Sequence, residues 1–171
     1  MSRFLLQLLL TTTTLVAQTS LAPKRAPTPP ANDDNRIGQI SALQNRASHI
    51  LKGELSRKLN PTCDPAKLSN AEFGNCFNAD AEITEHNYLA FVQALKASLA
   101  IKPPELDPTF PLPSRNFAAG EAAWRSYLDK VCEARGDTEY GASGTPTDMT
   151  ACQQNLTRQH MKDLNEIFLK R

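Results

Sequence analysis

Four cysteines, Cys63, Cys76, Cys132 and Cys152, all fall in the part of the chain whose apolar residues recur at three- and four-residue intervals. They follow a start that has the features of an export signal, and in an exported chain an even number of cysteines is expected to be paired. The pattern therefore predicts a small helical domain stapled by two disulfides. The gaps between successive cysteines, 13, 56 and 20 residues, offer neither the close pairs of a zinc site nor a C-x-x-C redox motif.

The export reading rests on the first 22 residues. Arg3 supplies a positive start, Phe4 to Leu10 an apolar core extended by Leu15 and Val16, and small residues follow from Ala17 to Ala22. That apolar run is too short for a membrane span of about 20 residues. No cysteine closes the segment, so a lipid anchor is not expected. Residues 23–34 carry four prolines and no apolar periodicity and read as a linker.

Helical patterning begins after this linker. Ile37, Ile40, Leu43, Ala47, Ile50, Leu51, Leu55 and Leu59 place an apolar face on a helix within residues 35–60, stopped by Asn60-Pro61. Gln44, Arg46, Lys52 and Arg57 are assigned to its solvated face. Ser69-Asn70-Ala71-Glu72 is a capping box that opens a second helix, with Phe73, Phe77, Ala81, Tyr88, Phe91, Val92, Leu95 and Leu99 inward. Five prolines between Pro103 and Pro113 end it. A third helix starts near Ser114 or Asn116, with Phe117, Trp124, Tyr127, Leu128 and Val131 inward, and a fourth covers about Thr147 to Leu169, with Met161, Leu164, Ile167 and Phe168 inward. No strand-like alternation competes. The expected fold is all-α: an antiparallel bundle of three helices over residues 61–171, preceded by an amphipathic N-terminal helix.

The order Cys63-Asp64, Leu68-Ser69-Asn70-Ala71-Glu72-Phe73-Gly74-Asn75-Cys76, Ala79-Asp80-Ala81-Glu82-Ile83, Ala123-Trp124-Arg125-Ser126-Tyr127-Leu128-Asp129 with Cys132, a glycine-rich loop, and Cys152 with Leu156-Thr157 resembles the LprI-like lysozyme-inhibitor family. Those are small exported bacterial helical domains, and the resemblance covers about residues 63 to 168. It implies a periplasmic or secreted protein-binding module whose partner is a lysozyme or another exported protein, and no enzymatic activity.

The residues themselves point the same way on chemistry. Hydrolase and phosphate-binding motifs are missing, and His49, His86 and His160 lie on different helices with no ligand spacing, so neither cofactor nor metal is expected. No aromatic residues interleave with the basic face of the first helix, which argues against nucleic acid. Three disulfide connectivities are open. An antiparallel arrangement would bring all four sulfurs to one pole, and we favour Cys132 with Cys152, closing the glycine loop, and Cys63 with Cys76, tying the entry segment to the second helix. The net charge of +1 hides an asymmetry: residues 18–62 carry 7 bases against 3 acids, and residues 63–171 carry 11 bases against 15 acids. An acidic domain steers basic partners. The segment from Gly136 to Asp148, with Asp137, Glu139, Tyr140 and Asp148 among its glycines, is the expected contact surface.

Overall fold

The computed structural model describes residues 33–107, 109–138 and 145–170. The expected signal peptide, nearly all of the linker, Glu139 and Tyr140 lie outside the described residues. Four helices make up the secondary structure, α1 (Asp33–Ser56), α2 (Asn70–Ala100), α3 (Pro113–Asp137) and α4 (Thr145–Phe168), and among the described residues there is no strand. None of these helices is long and apolar enough to cross a membrane.

Local chemistry explains where each helix begins and ends. Asp33 and Asp34, assigned by sequence to the linker, instead form the first turn of α1, where carboxylates complement the positive end of the helix. After Ser56 the chain turns through Asn60, whose φ of 51° is left-handed. Asparagine tolerates that region better than most residues. At the start of α2 the Ser69 amide donates to Glu72 Oε2 at 2.9 Å, and Ser69 Oγ accepts from the Glu72 amide at 3.4 Å. The capping box is therefore formed as expected, and it holds the exposed Glu72 carboxyl below its ordinary range. Ile101 leaves α2 in an extended conformation, two residues ahead of Pro103. Pro113 takes the first position of α3, where its missing N–H costs nothing.

Ala47 and Leu51 of α1, Tyr88, Phe91, Ala94 and Leu95 of α2, Phe117 of α3, and Met161 and Leu164 of α4 share one core. Burying an apolar side chain the size of Leu, Met or Phe contributes roughly 1.5–3 kcal/mol, so the larger of these residues dominate the stability of the fold. Helix α1 packs on α2 and α4, and α4 also packs on α3. Across the α3–α4 seam Phe117 meets Phe168 edge-on at 5.4 Å, Trp124 stacks on His160 at 4.0 Å, and Cys132 is bonded to Cys152. A second disulfide joins Cys63 to Cys76 and ties the α1–α2 connection to α2.

Several side chains depart from the sequence expectation. Tyr127 and Ile167, expected inward, are 58% and 61% exposed. Each sits one residue off the face of its helix that carries Leu128 or Phe168, and helical geometry turns consecutive residues by about 100°. Arg57, expected on a solvated face, is held by Glu54, Asp80 and Thr84.

Candidate functional site

Three polar assemblies stand out, and their stoichiometry separates structural from ligand-binding roles. The first joins α1, α2 and α4. Glu54 is 1% exposed and lies three residues beyond Leu51, on the apolar stripe of α1. Its carboxylate accepts from Arg57 Nη2 at 3.0 Å and Nε at 3.2 Å, from Thr84 Oγ1 at 2.9 Å and from Asn87 Nδ2 at 2.7 Å. Arg158 Nε lies 3.3 Å from Glu54 Oε1, an ion pair whose geometry is too oblique for a hydrogen bond. Arg158 Nη2 instead donates to the backbone carbonyls of Glu54 and Arg57 at 2.6 and 3.1 Å. Asp80 accepts from Arg57 at 2.5 Å and from Gln154 at 2.6 Å.

Two carboxylates thus face two guanidinium groups. Burial opposes the charge on Glu54, but hydrogen bonds from Arg57, Asn87 and Thr84, together with the Arg57 charge, outweigh it and hold the carboxyl below its usual range. With four hydrogen bonds and an ion pair, Glu54 has its acceptor positions filled. The assembly therefore fixes three helices together, with the Glu54 carboxylate wholly used in doing so.

The second assembly lines a groove of about 490 Å³ between α2, α3 and α4. Arg125 of α3 reaches across to Glu85 of α2 with two bonds, at 2.8 and 2.5 Å, and its guanidinium lies 5.3 Å from the centre of the Tyr88 ring. Glu82 of α2 and Asp129 of α3 also line the groove and are exposed. With three acids against one base, its lining is net negative. Asp129, Glu133 and Asp137 follow at four-residue steps along the exposed side of α3, towards the end of that helix, with Glu133 paired to Lys130 at 2.7 Å.

The third assembly surrounds Tyr88. This buried phenol donates to Glu121 Oε2 at 2.6 Å, and His160 Nε2 lies 3.0 Å from Glu121 Oε1. Burial and the adjacent carboxylate push the Tyr88 hydroxyl far above the ordinary phenol range, so it stays a donor. His160 is sandwiched against Trp124, their planes 6° apart. Beside this cluster opens a groove of about 430 Å³, lined by Phe117, Gly120, Glu121, His160, Leu164 and Phe168 with Pro113 and Asn116.

The residues singled out from the sequence fare unevenly. The four cysteines form the two favoured pairs. Asp137 is the last residue of α3 and exposed, and Asp148 sits half-buried in the first turn of α4. The expected loop from Gly136 to Asp148 is thus shorter than the sequence suggested, because both helices extend into it. Glu139 and Tyr140 lie outside the described residues. His49 and His86 are exposed as expected, whereas His160, expected at a helix edge, packs against Trp124 and Glu121. Sequence reading missed Glu54, Glu121 and His160. Helical register carries a signal for each: Ala47, Leu51 and Glu54 share one stripe, as do Phe117, Glu121 and Trp124, and His160, Leu164 and Phe168.

Among the described residues no group of three or more His, Cys, Asp or Glu side chains is gathered to hold a metal ion. Comparison with protein-family models, with curated proteins and with solved structures finds no match to this chain.

Proposed function

We propose that this chain is an exported, non-enzymatic protein-binding module that presents its acidic α2–α3 side to a basic partner, and that the partner is a lysozyme. On this reading the four helices alternate in direction as one rigid antiparallel scaffold, α1 included. Contacts support it for α3 and α4: partners on α4 step from Phe168 to His160 to Cys152 as those on α3 step from Phe117 to Trp124 to Cys132. Two disulfides and helices unsuited to crossing a membrane are compatible with a periplasmic or secreted location.

The observation that carries the reading is the groove in which Glu82 and Asp129 stay exposed beside the Arg125–Glu85 pair, continued by the acidic stripe to Asp137. A concave, net-negative surface braced by a disulfide suits a protruding basic segment. The choice of lysozyme rests on the resemblance to the LprI-like family. A glycoside hydrolase of that kind works through two carboxylates in a cleft, so steric occlusion suffices and the inhibitor supplies no catalytic group.

Titration of lysozyme turnover with the purified chain tests this directly, with inhibition expected to saturate near one-to-one. Replacing Glu82 and Asp129 by Gln and Asn, or Asp137, Glu139 and Asp148 by Asn, Gln and Asn, should slow association and flatten its salt dependence, because steering acts chiefly on the on-rate. If only the first variant slows, the groove is the contact and the loop a connector. If lysozyme is neither bound nor inhibited, the alternative stands: an envelope-associated interaction protein, identified by copurification with another exported protein.

A further inference from the structure

The groove beside Tyr88 has a composition that selects a ligand class independent of any protein partner. Its volume of about 430 Å³ falls within the roughly 300–1,000 Å³ typical of small-molecule sites. The lining is apolar along Phe117, Leu164 and Phe168, contains no Lys or Arg, and includes Glu121 as its one carboxylate. Tyr88 and His160 occupy one position on each Glu121 oxygen. A carboxylate offers about four, so acceptor capacity remains.

We infer that this groove is a binding site for a small organic ammonium compound, its apolar body lying on Phe117, Leu164 and Phe168 and its charged head donating to Glu121. The first turn of α3 also borders the groove at Pro113 and Asn116, and a helix start favours anions. Its effect amounts to only about half a charge and is confined to that turn, whereas the Glu121 carboxylate lines the groove itself. The Tyr88 hydroxyl and the His160 ring fix the Glu121 carboxylate in place, so the site is formed before a ligand arrives and loses little entropy in taking one.

The chain carries its own reporter. Trp124 is the only tryptophan and stacks on His160, which lines the groove, so a ligand there alters its fluorescence. The test titrates the full chain with phenylethylammonium, phenylpropanol and phenylpropanoate, which share a body and differ in head group. The ammonium compound should bind saturably and about tenfold or more tightly than the carboxylate, a difference of about 1.4 kcal/mol. Glu121→Gln should abolish that preference while phenylpropanol binds as before.

Gly120→Leu provides a second variant. A Cβ at Gly120 meets nothing within 4 Å, and replacing a helical glycine favours the helix, so the variant should fold, and from its place in the lining its side chain should take up part of the groove. All three probes should then weaken together. Equal binding of ammonium and carboxylate, a preference that survives Glu121→Gln, or unaltered binding in Gly120→Leu would each overturn the assignment, as would the absence of saturable binding by every probe. No lysozyme enters the assay, so its outcome is independent of the proposal above.

Discussion

Glu54 takes a full charge into a core position and is held there by groups from three helices. Removing one partner of such a buried arrangement leaves the others uncompensated. Glu54→Ala should therefore destabilise the protein by about 3–5 kcal/mol, measured by urea unfolding. The acid limb of stability should carry the same signature. The folded carboxyl lies below its ordinary value, so the unfolded chain takes up the proton first as pH falls. The contribution of Glu54 is then complete above the ordinary glutamate value of about 4.3 and is lost as pH drops through the lower folded value. In Glu54→Gln that part of the acid limb should disappear, and an unchanged profile would show that the carboxyl is not held as described. At this scale the sequence is least legible. An acid three residues beyond Leu51 on an apolar stripe marks itself as unusual, but the guanidinium groups that make it tolerable come from Arg57 next door and from Arg158, more than a hundred residues away. Periodicity assigns a face to a residue and is silent about its partner on another helix.

The helices themselves were readable because their signals are local. The capping box of Ser69 and Glu72, the prolines that end α2 and the apolar spacing of each stripe act within a turn or two of chain. Boundaries slipped where the signal was weak, as at α4, whose start at Thr145 precedes the expected Thr147. The Cys132–Cys152 pair was legible for a similar reason, since it closes a short connection of 20 residues. Replacing both cysteines by serine should lower stability by about 2–4 kcal/mol through the greater freedom of the unfolded chain. The comparison of denaturation midpoints under non-reducing conditions checks it, and an unchanged midpoint would mean that packing alone closes the α3–α4 end. Ser69→Ala should cost about 1 kcal/mol, and the loss should fall on the first turn of α2.

For the molecule as a whole, α1 is a structural partner of the cysteine-bearing helices. It contributes Ala47 and Leu51 to the common core and the Glu54 carboxylate to the buried network. A chain beginning after residue 58 would leave Asp80 without Arg57 and Arg158 without its carbonyl acceptors. Such a chain is expected to keep helical far-ultraviolet dichroism but to lose the near-ultraviolet signal of Trp124 and the sharp unfolding transition. A cooperative transition in the truncated chain would show that α2, α3 and α4 are sufficient by themselves.

Arg158 carries a further consequence. By donating to the carbonyls of Glu54 and Arg57 it finishes the last turn of α1 with a side chain from α4. A helix end normally frays, and its amides exchange with solvent in small local openings. Here the end of α1 is latched by a side chain of the last helix, and releasing it requires Arg158 to give up both carbonyls. Amide protons in the final turn of α1 should therefore exchange as slowly as those in the middle of α2, through unfolding of the whole domain, and they should begin to exchange locally once Arg158 is replaced by alanine.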